Sequence, residues 1–147
     1  MKSIRWAGLA AAAALSACSG VQSRVHDGKL ETTIDQRALH GKQLEAIGIG
    51  ASDPTLATDT QRKALSRDAA IVKAQYELLS MVKGVTLSGG ITVDRAMETD
   101  SNLQTKILET IRGAEIVKSE FTADNGCVVT LRLPKERLEQ MMGVRFE

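Results

Sequence analysis

The feature that most constrains the fold is a helical pattern between Thr58 and Lys83. Its apolar residues recur every three or four positions: Leu65, Ala69, Val72, Tyr76, Leu79 and Val82, with Ile71, Ala74 and Leu78 beside them. A helix of about 24 residues would be roughly 36 Å long, which is long enough to cover a sheet. We expect Asp59 or Thr60 to cap its start and Gly84 to follow its end.

This apolar stripe predicts a core helix rather than a membrane or partner helix. Several small residues lie within the same helix, namely Ala64, Ala69, Ala70 and Ala74. Small side chains allow a helix to approach a neighbouring sheet closely. The sequence therefore predicts that the sheet packs directly under this helix.

The segment Gln43–Gly50 ahead of the helix has the composition of a strand, and turn residues follow it. Gly48-Ile49-Gly50 before a helix also suggests a phosphate-binding loop. Neither the third glycine of a dinucleotide fingerprint nor the Gly-Lys-Ser/Thr of a P-loop is present, however. We favour glycines that let the strand pass close under the helix.

The remaining chain alternates between strand and helix patterns. Predicted in order are strands at Val85–Leu87 and Ile91–Val93 around Gly89-Gly90, a helix from Asp100-Ser101 to Arg112, a strand at Ala114–Phe121, a turn at Asp124-Asn125-Gly126, a strand at Cys127–Leu133, and a helix opened by Pro134. The expected fold is a single α+β domain with β-α-β-α-β-β-α order, in which the long helix packs on a small mixed or antiparallel sheet.

The start of the chain has the three parts of an export signal. Lys2 and Arg5 are basic, Trp6–Ala14 is an apolar run, and small residues precede Cys18. That run is shorter than the roughly 20 residues that a membrane-spanning helix needs. We therefore expect residues 1–17 to be a signal peptide.

The sequence Leu15-Ser16-Ala17-Cys18 resembles the lipobox of bacterial lipoproteins. The resemblance implies cleavage between Ala17 and Cys18, a diacylglycerol on the Cys18 thiol, and acylation (commonly palmitate) of the new amino group. Two or more buried acyl chains anchor a protein stably, whereas one anchors it only marginally. Ser19 in place of an aspartate favours the outer membrane. An ordinary signal peptide that happens to contain a cysteine is the alternative.

The predicted mature chain has 130 of the 147 residues, enough for one domain with a core. We assign 18–41 to the lipidated N-terminus and a flexible tether, because this stretch is polar with scattered apolar residues, although a short helix or strand around 29–39 is possible. Residues 42–147 form the predicted domain. A partner-binding role for the tether is the alternative to a spacer.

Composition argues against several functional classes. Loss of Lys2 and Arg5 would change the formal net charge from +1 to −1, which gives no electrostatic basis for binding nucleic acid. Lipidation of Cys18 would leave Cys127 alone, so we expect no disulfide and a buried Cys127. With two histidines and no ligand cluster, we expect no metal and no cofactor.

From about Ala46 to Leu133 the chain resembles the LPP20 lipoprotein family, whose domain is similar to the N-terminal domain of the flagellar protein FlgT. The resemblance lies in Ala64–Val85, in Ile111–Val117 and in the hairpin around Asn125. It implies an envelope lipoprotein, sometimes associated with flagella or the cell surface, and it supplies no catalytic residues.

Three functional hypotheses follow. The first is a non-catalytic outer-membrane lipoprotein whose domain, in the periplasm or at the cell surface, contacts another envelope protein. A motility accessory and a small-ligand-binding module are the alternatives. We expect no enzyme, because no nucleophile–base pair is visible. The carboxylates that an enzyme would have to use are Asp53, Asp59, Asp68, Glu77 and Asp94.

Overall fold

The computed structural model describes residues 21–31 and 37–146. These residues form four helices and two antiparallel sheets in one α+β domain, which confirms the predicted fold class. The elements are β1 (Val25–His26), β2 (Lys29–Leu30), β3 (Arg37–His40), β4 (Gln43–Gly50), α1 (Asp59–Lys83), α2 (Val93–Thr99), α3 (Ser101–Arg112), β5 (Glu115–Phe121), β6 (Cys127–Pro134) and α4 (Lys135–Met142).

The main sheet has the order β3-β4-β6-β5, and all of its neighbours are antiparallel. Strands β5 and β6 form the predicted hairpin, where Asn125 takes a left-handed conformation with φ of 65°. Strand β4 pairs with β6 along its whole length, from Gln43 opposite Pro134 to Gly50 opposite Cys127. In β5 the register shifts between Ile116 and Lys118, which marks a bulge in this edge strand.

Helix α1 lies on one face of this sheet, which we call the inner face. A Cβ on Gly48 would lie 1.9 Å from the carbonyl oxygen of Ala70, and a Cβ on Gly50 would lie 1.9 Å from that of Ser66. No side chain fits at either position, so the backbones of β4 and α1 are in direct contact. This confirms that the glycines let the strand pass close under the helix.

The rest of the core lies beside α1 on the same face. Buried side chains of α3 and α4, including Ile107, Ile111 and Leu138, belong to one cluster with Leu131 and Leu133 of β6. Burying a large aliphatic side chain contributes about 1.5–3 kcal/mol. This cluster therefore holds α3, β6 and α4 together.

The predicted order of elements is wrong between α1 and α3. Val85–Leu87 and Ile91–Val93 are not strands of the sheet, and Thr86 and Thr92 form only an isolated bridge around Gly89-Gly90. Val93 instead begins α2, whose start is capped by the Thr92 hydroxyl. Three alternating residues cannot distinguish a strand from the approach to a helix, whereas Val93 and Met97 are buried with helical spacing.

Two other expectations also change. Thr58, not Asp59 or Thr60, caps α1, and it forms a reciprocal capping box with Gln61. Within the segment predicted as a tether, β1 and β2 form a small hairpin and β3 joins the main sheet. The sheet therefore begins before residue 42, since β3 contributes its edge strand.

Candidate interaction surface

Helix α1 presents an apolar stripe on the side that faces away from the sheet. Leu65, Val72 and Tyr76 expose 47%, 65% and 64% of their surface, and Ala69 between them is also exposed. Steps of four, three and four residues place these side chains in one line, roughly 17 Å long at about 1.5 Å per residue. We call these four residues the α1 stripe.

The α1 stripe was predicted to face the core, and that assignment is wrong, whereas Ala74, Leu78 and Val82 of the same predicted set are buried. The buried side instead carries Ser66, Ala70 and Ala74, with Leu78 and Val82 continuing it toward the C-terminus. Near β4 the two backbones are too close for larger side chains. The larger apolar residues of this half of α1 therefore point outward.

Polar groups line one edge of the α1 stripe. The Lys73 ammonium lies 5.2 Å from the centre of the Tyr76 ring and 3.0 Å from a carboxylate oxygen of Glu77. A cation over an exposed aromatic face contributes about 0.5–1 kcal/mol. The Arg62 guanidinium donates to the Leu56 carbonyl at 3.0 Å. The stripe is thus an apolar surface with a polar edge, which is common where helices meet partners.

An exposed apolar surface indicates a site of interaction only when its side chains are contiguous. Scattered exposed apolar residues are normal on protein surfaces, whereas a continuous apolar patch with polar edges marks a site of interaction. The α1 stripe is about three helical turns long and one helix wide. Its shape therefore matches a single helix of a partner better than a flat surface.

The predicted lipidation and cleavage residues, Cys18 and Ala17, lie outside the described residues. Cys127 is described, and it is a free thiol buried in the core, as predicted. Burial raises the pKa of the Cys127 thiol, and the charge of the nearby Arg67 offsets only part of that rise. A thiol with a raised pKa is a poor nucleophile at neutral pH.

The candidate carboxylates do not converge. Asp59 lies at the start of α1, and Asp94 contacts Lys83 at the other end of that helix, with 2.9 Å between charged atoms. The two ends are about 36 Å apart at 1.5 Å per residue. Asp68 is exposed, whereas Glu77 is buried.

Asp53 belongs to a turn and not to a cleft. Its carboxylate accepts hydrogen bonds from the hydroxyl and the backbone amide of Thr55, at 2.6 and 2.9 Å. These hydrogen bonds hold the pKa of Asp53 below its ordinary value, and the one from the hydroxyl has the larger effect. The side chain therefore stabilises the turn that leads into α1.

A second surface feature is an open cleft of about 470 Å³ at the tip of the main sheet. The β1–β2 hairpin forms one wall with Leu30, and Ile49 and Val128 of the sheet form another. Ala123 and Asp124 lie in the turn at its mouth. The hydrogen bond from the Thr122 hydroxyl has the largest effect on Asp124, and together with hydrogen bonds from backbone amides it holds the pKa of this carboxyl below its ordinary value. The cleft is thus mainly apolar with one carboxylate at its edge.

Within the described ranges no group of histidine, cysteine and carboxylate side chains could hold a metal ion. No helix in the same part of the chain is long and apolar enough to cross a membrane. Comparison with known proteins gives no match to any family model, to any curated protein or to any solved structure. Function is therefore inferred from the residues of the chain itself.

Proposed function

We propose that this chain is a non-catalytic lipoprotein of the bacterial outer membrane, anchored through Cys18, whose domain binds a helix of another envelope protein. The observation that carries the second half of the proposal is the α1 stripe, an exposed apolar line with a polar edge. The proposed lipid anchor is supported by the lipobox-like pattern and by the resemblance of the chain to the LPP20 family.

The anchor is tested by intact mass and cell fractionation of the wild type against Cys18→Ala. We expect the wild type to be cut before Cys18, to carry acyl chains and to fractionate with the outer membrane. The Cys18→Ala chain should lack the added mass and leave the membrane. A soluble, unmodified product from both chains would contradict the proposed anchor.

The interaction surface is tested by placing a photo-crosslinking amino acid at Val72 in living cells. Gln104 of α3, which is also exposed, is the matched control position. We expect a discrete adduct with another envelope protein from position 72 and none from position 104. Adducts with a second copy of this chain would replace the proposed partner by self-association, and equal labelling from both positions would contradict the proposal.

The partner helix has a definite expected chemistry. A helix that packs along about three turns of α1 needs apolar residues at every third or fourth position. An acidic residue next to Lys73 would add a charge-assisted contact at the polar edge. Mapping the adduct from position 72 by mass spectrometry would show whether the crosslinked segment has this pattern.

A small-ligand-binding module is the second candidate, and the cleft at the tip of the sheet favours it. Its volume and mainly apolar lining suit a small apolar molecule with one cationic or hydroxyl group near Asp124. Titration of the soluble domain with such compounds, followed by the amide signals of Leu30 and Val128, tests this function. The motility role depends on the resemblance alone, and a deletion strain that swims normally would exclude it.

A further inference from the structure

The chain just after the proposed anchor is fixed to the outer face of the main sheet, the face opposite α1. The Glu120 carboxylate on β5 accepts hydrogen bonds from the Ser23 hydroxyl and from the Arg24 amide, the latter at 2.8 Å. The Lys118 ammonium lies 3.4 Å from the Val21 carbonyl oxygen and donates to it. These contacts hold residues 21–24 against β5.

The following hairpin is fixed as well. Asp27 and Gly28 at its turn both have positive φ, of 51° and 73°, as a tight two-residue hairpin turn requires. The Ala123 amide donates to the Gly28 carbonyl at 2.8 Å, and a Cβ on Gly28 would lie 2.9 Å from the Ala123 side chain. The segment is therefore attached to both the strand β5 and the turn beyond it.

This attachment limits the distance between the anchor and the domain. Only three residue steps separate Cys18 from Val21, and each step of extended chain spans at most about 3.6 Å, so the two lie within about 11 Å of each other. A free tether over 18–41 would reach several times farther. An acylated Cys18 sits at the lipid headgroups, so Val21 lies within about 11 Å of them.

We propose that the anchored domain lies directly on the membrane, with residues 21–24 and the β1–β2 hairpin on the outer side of the sheet against the lipid headgroups and the α1 stripe pointing away. This inference rests on the proposed anchor at Cys18. The surface near the anchor carries both signs of charge, since Arg24 pairs with Glu31 and Lys118 with Glu120. Zwitterionic headgroups therefore suit it, and acidic lipid is not required.

The orientation also explains which side of the domain is free for a protein partner. Helix α1 lies on the inner face, and a helix with its side chains is about 10–12 Å thick. The α1 stripe is on the far side of that helix and so lies at least this distance beyond the sheet. A partner helix would then meet the domain from the aqueous side.

Tryptophan fluorescence tests this arrangement, because the only tryptophan, Trp6, is removed with the predicted leader. The acylated chain is placed in phosphatidylcholine vesicles that contain a lipid with a nitroxide on its headgroup. Lys29→Trp reports on the hairpin and Val72→Trp on the α1 stripe, both at exposed positions. Because α1 alone separates the stripe from the sheet by about 10–12 Å, quenching at 29 should exceed that at 72 by at least about twofold.

Insertion of twenty Gly/Ser residues between Ser19 and Gly20 is the matched control, and it should abolish the difference between the two reporters. Intact mass separates the possible failures. Equal quenching at 29 and 72 in a chain whose acylation is confirmed would overturn the membrane orientation and leave the anchor in place. A chain without acyl groups would remove the anchor and the orientation together.

Discussion

The two sides of α1 differ in a way that average hydrophobicity does not capture. The side against the sheet carries Ser66, Ala70 and Ala74, whereas the side toward solvent carries Leu65, Val72 and Tyr76. Opposite Gly48 and Gly50 the buried side carries only small residues, because these glycines bring the two backbones into contact. Which side of α1 is buried therefore depends on how closely α1 approaches β4. The larger apolar residues Leu65, Val72 and Tyr76 stay exposed.

Under the proposed function, stability and partner binding occupy opposite sides of one helix. Residues on the buried side of α1 should determine whether the domain folds. Residues of the α1 stripe should matter little for folding and strongly for binding. Substitutions on each side separate these two roles.

The largest effect is expected for Gly48→Ala. The new methyl group would lie 1.9 Å from the Ala70 carbonyl oxygen and 2.5 Å from the Ala74 amide nitrogen, both of which are backbone atoms that cannot turn aside. The helix and the strand must separate, so we expect a loss of about 3 kcal/mol or more in the free energy of unfolding, measured in urea.

Gly84→Ala is the matched control for this substitution. Its new methyl group would lie 3.6 Å from the nearest atom, at an ordinary φ of −77°. We expect a change of at most about 1 kcal/mol. Equal losses at positions 48 and 84 would contradict the close contact between β4 and α1.

The next effect compares the two sides of α1 directly. Leu78 is fully buried, so Leu78→Ala should cost about 2–5 kcal/mol. Val72→Ala removes an exposed side chain and should change stability by no more than about 0.5 kcal/mol. Thermal unfolding of both variants provides the measurement. A large loss from Val72→Ala would show that the α1 stripe is part of the core.

The smallest effect is local and concerns the outer face of the sheet. Burial alone would raise the pKa of Glu120, but hydrogen bonds from Ser23 and the Arg24 amide, with the charge of Lys118, hold it below its ordinary value. A carboxyl whose pKa is lower in the folded state stabilises that state above its unfolded pKa and loses this contribution as the pH falls through the folded value. We therefore expect residues 21–24 to detach only in acid, at a pH below the ordinary pKa of a glutamate side chain.

Hydrogen exchange at the Arg24 amide as a function of pH measures this detachment. The close approach of Gly48 to Ala70 and Ala74 is made by backbone atoms, which do not titrate, so the amides of α1 around Ala70 should keep their protection over the same range. Glu120→Gln should make exchange at Arg24 faster at neutral pH and remove its dependence on acid. Loss of protection in α1 at the same pH as Arg24 would show instead that the whole domain unfolds as one unit.

The sequence predicted the elements whose local signals agree. The bounds of α3 follow from the Asp100 cap and Gly113, and the β5–β6 hairpin follows from Asp124-Asn125-Gly126 between alternating strands. The bounds of α1 were also predicted correctly, apart from the capping residue. Caps, turns and periodicity depend on neighbours in the chain, so the sequence reveals them.

Two of the errors concern contacts between distant parts of the chain. The buried side of α1 depends on glycines in β4, and a pattern of apolar residues in α1 alone contains no record of them. A usable signal was nevertheless present, because Gly48 and Gly50 face small residues spaced four apart in α1. Likewise, β3 has little strand character of its own and pairs only because β4 offers an edge. The cleft could not be predicted, because three separate segments form it.

The bulge in β5 matters for how copies of this protein behave side by side. An edge strand leaves a row of unpaired backbone groups, which invites strands of neighbouring molecules. On a membrane, anchored copies would share a thin layer and collide far more often than in dilute solution. The break in register near Lys118, together with the charges of Glu115 and Glu120, interrupts that row. It would prevent the edge strands of neighbouring copies from pairing into a continuous sheet.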